Sequence, residues 1–326
     1  MLGAGGWGTA LSVHLSRLGH GVRLWARDGA LASQIEERRA NPSYLPDVNF
    51  PPNLHATGDL ASALRDTDLI VTALPSHGTR DILRRVAPHV GAGTIVVSAT
   101  KGLERDTLFR ASEIVDQELK HVRVAVLSGP SFASEVAREL PTAVCIASRD
   151  RSVVEVVQAD FKSSYLRLYG TDDVIGVEIG GALKNVIAIA AGVVEGLGLG
   201  HNALAGLITR GLAEMSRLAC AAGAKRETLA GLSGLGDLVL TCNGTLSRNR
   251  HVGIELASGR PLQDVLGGMK MVAEGVRTTE AALALASRHG VELPIAAQVA
   301  ELLAGRTDPR TALGELMLRP QRAEMG

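Results

Sequence analysis

The stretch from Val174 to Gly200 reads VIGVEIGGALKNVIAIAAGVVEGLGLG, and it predicts one long helix that is apolar on nearly every face. A helix of this kind is buried in a protein core. Its uncharged run, from Asn185 to Val194, is shorter than the ~20 residues that a helix needs to cross a bilayer. The stretch therefore predicts the central helix of a soluble fold, with no membrane partner.

Lys184 lies in the middle of this helix among Ala, Leu, Val and Ile residues. Burial disfavours the charged form of an amine and lowers its pKa, which makes Lys184 a candidate acid/base. Helical side chains lean toward the helix N-terminus, so the amine should lie over Gly180 and Gly181, which leave space for another group. Two alternatives stay open. The glycines permit close approach of a neighbouring helix, or the lysine pairs with Glu178 or Asp237.

The composition bounds the size, partners and compartment of the protein. The 326 residues suggest two domains, and 46% hydrophobic residues suffice for a core in each. Lys and Arg number 34, as do Asp and Glu, so the net charge of zero gives no indication of a nucleic-acid partner. The three cysteines are widely spaced, the nine histidines form no metal-ligand pattern, and the N-terminus does not resemble a signal peptide. We therefore expect a reduced, cytoplasmic protein without a metal.

The chain opens with a glycine pattern that predicts dinucleotide binding. Gly3, Gly5 and Gly8 form GxGxxG at the start of an amphipathic helix, and an apolar run from Val22 to Ala26 follows at the spacing of a β-α-β unit. In this pattern the first glycine permits the turn, the second lets a pyrophosphate approach the backbone, and the third packs helix on strand.

The first strand of the predicted sheet is short, because only Met1 and Leu2 precede Gly3. A typical strand has ~5 to 6 residues, and the first strand of a doubly wound sheet has neighbours on both sides. We therefore expect a vestigial first strand, and a chain longer by about five apolar, β-branched residues would be expected to melt at a higher temperature.

The end of the second strand bears on which dinucleotide is bound. An NAD-specific site usually places Asp or Glu on the ribose diol, about 20 residues past the fingerprint, and this chain has Arg27 there. A guanidinium suits a 2′-phosphate, whereas Asp28 could serve an unphosphorylated ribose. We expect NADP as cofactor with NAD also accepted, and a solvated surface arginine is the alternative.

Apolar runs and helical patterns alternate through the first half, which predicts a doubly wound, Rossmann-like and mostly parallel sheet. Ligands of such sheets bind beyond the carboxyl ends of the strands, so Lys101 should lie at the mouth of the cleft. His77 is another candidate acid, although a lone loop histidine is more often solvated. The predicted strands are 69–73, 94–98, 122–127, 143–147 and 166–169, the predicted helices are 79–86, 107–119 and 151–161, and a proline-rich loop occupies 41–54.

From residue 174 onward the pattern is helical, so we predict a dinucleotide-binding domain at 1–173 and an all-α substrate domain at 174–326. Ser247 is a plausible N-cap, which would place Arg248 and Asn249 in a first helical turn facing an anion. This arrangement predicts a phosphate site, with an exposed basic patch as the alternative. The predicted helices are 202–222, 226–229, 247–257, 262–266, 278–289 and 295–303.

These segments together resemble the bacterial type of NAD(P)-dependent glycerol-3-phosphate dehydrogenase. GAGGWGTAL, ATKGLE, SGPSFASEVA, GALKNVIAIAAG, LITRGLAEM, GLSGLGDLVLTC, SRNR and EGVRTTEA match that family in order, from residue 3 to about residue 315. The resemblance implies reversible hydride transfer between NAD(P)H and C2 of dihydroxyacetone phosphate, giving sn-glycerol 3-phosphate for glycerophospholipid backbones. The implied partner is this small-molecule substrate, and a homodimer is left open.

The resemblance also implies the site residues. Lys184 resembles the proton donor and acceptor, with Lys101 and Asp237 completing the catalytic cluster at the reacting oxygen. Leu204 stands where the family commonly has a lysine, so an ionic contact there is lost. The implied substrate-binding positions are Lys101, Gly129, Ser131, Lys184, Asp237, Ser247, Arg248 and Asn249. The cofactor positions, with the fingerprint residues Gly3, Gly5 and Gly8, are Gly6, Trp7, Arg27, Lys101, Ala133, Arg248, Val272 and Glu274.

Two rival hypotheses remain. A related two-domain NADP-dependent hydroxyacid or ketopantoate-type reductase acts on a carboxylate substrate, which does not require the phosphate site predicted at SRNR. A non-enzymatic dinucleotide sensor would have little reason to keep Lys184, Lys101 and Asp237 together.

Overall fold

The computed structural model describes residues 1–269, 273–321 and 323. Within them, all strands lie in the first 171 positions, as the alternating pattern predicts. Apart from β2, for which no bounds are predicted, each strand begins and ends within two residues of its predicted bounds. The strands are β1 Val22–Trp25, β2 Leu54–Thr57, β3 Leu69–Thr72, β4 Ile95–Ser98, β5 Arg123–Ser128, β6 Thr142–Ala147 and β7 Leu166–Thr171.

The vestigial first strand is confirmed as a single bridging residue. Leu2 forms parallel bridges to Trp25 in β1 and to Thr72 in β3. Its N–H donates to the Val71 carbonyl at 2.8 Å, and its carbonyl accepts from the Ala73 N–H at 2.9 Å. Leu2 therefore joins the β1-β2 pair to the sheet of order β3-β4-β5-β6-β7. β5 and β6 are antiparallel and the other pairs are parallel, so the sheet is mostly parallel as predicted.

Helices cover both faces of this sheet. α4 and α7 have the predicted bounds. α5 is predicted to begin at residue 107 but begins four residues later, at Ala111, because residues 103–110 form a hairpin closed by a Leu103–Arg110 bridge. The sequence pattern does not predict α2, α3 or α6. The helices are α1 Gly6–Arg17, α2 Gly29–Arg38, α3 Leu60–Leu64, α4 Thr79–Val86, α5 Ala111–Glu118, α6 Ala133–Ala137 and α7 Arg151–Phe161.

The predicted central helix is α8, Val174–Gly196. It is long and apolar enough to span a membrane, but 89% of its most apolar window is buried inside the fold. It ends at Gly196, before the predicted end at Gly200, because Gly198 takes a φ value of 68°, which the interior of a right-handed helix cannot contain. α8 is thus the core helix of the second half.

The described residues after α8 form helices that pack around it, with α9, α11, α12 and α14 in direct contact. The sequence pattern does not predict α11 or α16. α11 follows a glycine-rich π-helical turn, Leu232–Gly236, which hides the helical period. The helices are α9 Gly200–Ala221, α10 Arg226–Ala230, α11 Asp237–Asn243, α12 Arg248–Ala257, α13 Leu262–Gly267, α14 Glu274–Arg288, α15 Pro294–Leu303 and α16 Pro309–Met317.

Candidate active site

Two lysines from opposite halves of the chain meet one buried carboxylate. Lys101 follows β4, Lys184 lies in the middle of α8, and Asp237 begins α11. Lys101 Nζ donates to Asp237 Oδ2 at 2.6 Å, and Lys184 Nζ donates to Asp237 Oδ1. The side chains are 17%, 8% and 1% exposed for Lys101, Lys184 and Asp237. The three residues predicted as a cluster therefore lie together at the ends of the strands.

Burial lowers the pKa of the Lys184 amine to about 7, with the Lys101 cation acting in the same direction and the Asp237 carboxylate opposing both. The amine also donates to Thr241 Oγ1 at 3.0 Å. Thr241 is not among the predicted site residues, because it lies one turn after Asp237 on α11, a helix that the sequence pattern does not predict. A lysine with a pKa near neutrality can give or take a proton at physiological pH.

The two alternatives raised by the sequence around Lys184 are both partly correct. Its salt-bridge partner is Asp237, while Glu178 pairs with Arg110 instead. A Cβ on Gly180 would lie 2.5 Å from the Ser233 carbonyl oxygen, so close approach of the π-helical turn explains this glycine. The same approach brings Asp237, at the end of that turn, to the lysine.

The segment after β5 completes the cluster around Lys101. Gly129 has φ 138°, and a Cβ there would lie 3.0 Å from the Val144 Cα, so only glycine fits. The Gly129 carbonyl accepts from Lys101 Nζ at 3.0 Å and from Ser131 Oγ at 2.9 Å. Lys101, Gly129 and Ser131, predicted to share a substrate site, therefore share one hydrogen-bond network.

The N-terminus of α12 has the predicted cap. The Ser247 hydroxyl accepts from the Arg250 backbone N–H at 3.2 Å. The Arg248 side chain is exposed, and the charges of Glu274 and Tyr44 act on its guanidinium. Tyr44 was not predicted; it lies in the proline-rich loop, where no motif singled it out.

Asn249 makes contacts that sequence reasoning did not foresee. Its Nδ2 donates to Asn185 Oδ1 at 2.9 Å, and its Oδ1 accepts from the Gly275 N–H at 2.9 Å. The second arginine of SRNR, Arg250, pairs with Glu195 on α8. The side chain of Asn249 therefore links α12 to α8 and α14, and Arg248 is the exposed arginine of the motif.

The fingerprint glycines lie in the turn between Leu2 and α1, where two of them are sterically required. Gly3 has φ 111°, and a Cβ there would lie 2.5 Å from the Ala73 carbonyl oxygen, whereas a Cβ on Gly5 would meet nothing within 4 Å. Gly8 packs against the Gly3 carbonyl. α1 begins at Gly6 with no side-chain cap, so its first-turn amides are available to an anion. The buried Trp7 Nε1 has no hydrogen-bond partner in the structure.

Basic side chains gather beyond β1, where Arg27 is exposed. Burial lowers the pKa of His77, and the charges of Arg277 and Arg27 lower it further while the Glu274 carboxylate raises it, so two cations and one carboxylate act on this imidazole. Asp28 caps α2 by accepting from the Ala30 N–H at 2.9 Å. That contact engages one oxygen of the carboxylate that sequence analysis considered for the ribose.

Two of the remaining predicted cofactor positions, Glu274 and Ala133, lie beside the loop after β3 and the fingerprint helix. Glu274 Oε2 accepts from Ser76 Oγ at 2.7 Å, which joins the start of α14 to the loop after β3. Ala133 Cβ would lie 3.7 Å from a Cβ on Gly6, so Ala133 borders the fingerprint. Val272 lies outside the described residues. Leu204 is half-buried against the apolar core of the helical half. Within the described residues, no group of His, Cys, Asp or Glu could hold a metal ion.

Two features define a dinucleotide-dependent oxidoreductase. The sheet is mostly parallel and carries this fingerprint, and a buried lysine from the helical half lies at the strand ends. The chain belongs to the NAD-dependent glycerol-3-phosphate dehydrogenase family. The model of that family's N-terminus matches residues 1–154, and the model of its C-terminus matches residues 173–314.

Full-length relatives agree with this assignment. The chain is 50% identical over 328 residues to the glycerol-3-phosphate dehydrogenase (NAD(P)+) of Syntrophotalea carbinolica, covering 100% of this chain and 98% of the relative. The crystal structure of glycerol-3-phosphate dehydrogenase from Coxiella burnetii has a TM-score of 0.95 at 42% identity, covering 98% of each chain. A ketopantoate reductase from Ralstonia eutropha shares the fold alone, with a TM-score of 0.58 at 17% identity over 96% of this chain and 100% of that one.

Proposed function

We propose that the protein transfers a hydride reversibly between NAD(P)H and C2 of dihydroxyacetone phosphate, giving sn-glycerol 3-phosphate, a precursor of glycerophospholipid backbones. The observation that carries this proposal is the buried Lys184–Asp237–Lys101 cluster at the carboxyl ends of the strands. Membership of the NAD-dependent glycerol-3-phosphate dehydrogenase family supports it.

The first half, residues 1–173, would hold the cofactor. The uncapped amides of Gly6, Trp7 and Gly8 at the start of α1 would bind the pyrophosphate, which can approach because no Cβ stands on Gly5. The unpartnered Trp7 Nε1 is a donor suited to a polar ligand atom. When bound, the nicotinamide supplies or accepts the hydride.

The second half, residues 174–326, would hold the substrate. Arg248 and the first-turn amides of α12 would bind its phosphate at a helix N-terminus, where partial positive charge favours an anion. Asn249 would contribute through its backbone, because its side-chain amide already bonds to Asn185 and Gly275. A phosphate held away from the reacting carbon positions C2 and lowers the entropic cost of reaching the transition state.

Proton transfer would belong to Lys184. Reduction places negative charge on the C2 oxygen, which the Lys184 and Lys101 cations stabilise and to which Lys184 then donates its proton. In the reverse direction the neutral amine accepts the proton from the hydroxyl. Asp237 would hold both amines in place, since each of its carboxylate oxygens accepts from one of them.

We infer a preference for NADPH from the Arg27 and Arg277 guanidiniums, whose charges both act on His77, because a 2′-phosphate is attracted to these cations. The neutral net charge and the burial of α8 support a cytoplasmic enzyme whose partners are small molecules. A homodimer remains a prediction.

The test is to follow oxidation of NADPH and NADH with dihydroxyacetone phosphate and to identify the product by its stereochemistry. Turnover that requires the phosphate and gives sn-glycerol 3-phosphate supports the proposal. Comparable turnover of ketopantoate or a 3-oxoacid, with none of dihydroxyacetone phosphate, would refute it in favour of the carboxylate reductases.

A further inference from the structure

Glu178, on the same helix as Lys184, forms a buried ion pair with a residue of the nucleotide-binding half. Arg110 Nη1 donates to Glu178 Oε2 at 2.6 Å, and the two side chains are 10% and 3% exposed. Glu178 also accepts from the Ser112 N–H at 2.8 Å and from Ser112 Oγ at 2.6 Å. The carboxylate therefore caps the first turn of α5 and fastens it to α8.

The segment between Lys101 and Arg110 is a hairpin whose two ends are tied together. Leu103 and Arg110 form an antiparallel bridge, and the Glu104 N–H donates to the Phe109 carbonyl at 2.9 Å. The position of Arg110 thus determines where Leu103 lies. Lys101 is only two residues before Leu103, so its position depends on the hairpin as well.

The hairpin is held from both sides. On the side of the nucleotide-binding half, Glu104 pairs with Arg80 at 2.7 Å. On the other side, Leu103 is 3% exposed within the apolar core of the helical half, and Arg110 reaches Glu178. The Arg110–Glu178 pair is therefore the polar tether between this hairpin and the helix that carries Lys184.

We infer that Glu178 is a positioning residue, which acts through Arg110 and the hairpin to hold the Lys101 amine against Asp237 and beside Lys184. This inference rests on the proposed function. The hydrogen bonds and ion pair of Glu178 go to Arg110 and Ser112 and not to Lys101, Lys184 or Asp237, and a buried ion pair is weak evidence for stability. The Arg110–Glu178 pair acts through geometry, because it sets the distance between catalytic groups that belong to different halves of the chain.

The experiment compares Glu178→Gln with Glu214→Gln. Both residues are buried carboxylates that accept backbone N–H bonds at the start of a neighbouring helix, but Glu214 contacts α15, away from the lysines. We expect E178Q to lower kcat about 10- to 100-fold, the scale of a displacement of about 1 Å, with the Kd for NADPH within twofold of the parent. E214Q should leave kcat within twofold.

A double-mutant comparison separates positioning from a general loss of structure. If Glu178 acts through Lys101, then E178Q should cause no more than a twofold further loss of kcat in a Lys101→Ala background. E178Q and Lys101→Ala should also move the acid/base limb of the kcat/KM pH profile in the same direction, to higher pH, because both weaken the effect of the Lys101 cation on Lys184.

The outcomes are distinct. An unchanged kcat for E178Q, or an equal loss in both backgrounds, overturns the inference while the parent enzyme still turns over its substrate. A parent enzyme without turnover rejects the proposed function and this inference with it. If E178Q does not fold, Arg110→Lys replaces it in the same comparison, with the same criteria. This variant keeps the positive charge but shortens the side chain that reaches Glu178.

Discussion

Lys184 and Asp237 are separated by 53 positions in the chain, yet they form a buried ion pair at the ends of the strands. The pair joins the middle of α8 to the first residue of α11, and Lys101 approaches the same carboxylate from the other half. Two cations on one carboxylate leave excess positive charge at the site, which suits a reaction that develops an oxyanion.

Replacing Lys184 with alanine tests the proton-transfer role. We expect kcat to fall by at least ~10², the usual range for loss of a general acid/base, while the Kd for NADPH stays nearly the same. Lys225→Ala is the control, because Lys225 is exposed and pairs with Asp172. Steady-state kinetics and NADPH fluorescence titration measure both quantities. A kcat within a few-fold of the parent would show that another group moves the proton.

The pH profile should report the lowered pKa of Lys184, about 7. Reduction needs the charged amine, so kcat/KM for dihydroxyacetone phosphate should fall as pH rises through about 7, and kcat/KM for glycerol 3-phosphate should rise over the same interval. Asp237→Asn removes the charge that raises this pKa, so both limbs should move to lower pH. A shift of the limbs to higher pH in Asp237→Asn would contradict this electrostatic account.

Arg248→Ala tests the phosphate site. A charge-assisted contact contributes roughly 1.5 to 3 kcal/mol, so KM for dihydroxyacetone phosphate should rise roughly 10- to 150-fold. Any turnover of unphosphorylated dihydroxyacetone should change little. Arg250→Ala, in the same motif but paired with Glu195, should leave this KM within about threefold once folding is verified by circular dichroism. Equal losses on both substrates would place Arg248 outside the phosphate site.

Arg27→Ala tests coenzyme preference. The exposed guanidinium would lie beside a 2′-phosphate, so its loss should raise KM for NADPH more than KM for NADH. Arg38→Ala, at the exposed end of α2, is the matched control. The measurement is the ratio of kcat/KM for the two coenzymes, and an unchanged ratio in Arg27→Ala would mean that Arg27 is a surface residue.

Burial raises the pKa of Glu214 to about 7, and this predicts a pH-dependent contribution to stability. A carboxyl with a raised folded-state pKa binds its proton more tightly in the folded state. Its stabilising contribution is present below the unfolded pKa, near 4.5, and is lost as pH rises through about 7. The Tm of Glu214→Gln minus that of the parent should therefore increase between pH 5 and pH 8. A difference in Tm between Glu214→Gln and the parent that stays constant from pH 5 to pH 8 would contradict this prediction.

Local sequence was sufficient for much of the fold. The burial of α8, the GxGxxG turn, the bounds of α4 and α7 and the cap at Ser247 all depend on side chains within a few positions of one another. Helical and strand periods, and hydrogen bonds between near neighbours, can be read from such intervals. α11 was missed because the glycines of the π-helical turn interrupt that period.

The sequence by itself determined the family, the order of the elements and the residue types available for chemistry. Only the tertiary structure decided that Lys184 pairs with Asp237 while Glu178 pairs with Arg110, and that Asn249 bonds to Asn185 and Gly275. The physical reason is that a buried lysine can pair with either carboxylate, so the residue types alone do not distinguish Glu178 from Asp237. The packing of α8 against the π-helical turn and the 103–110 hairpin brings only one of them to the amine.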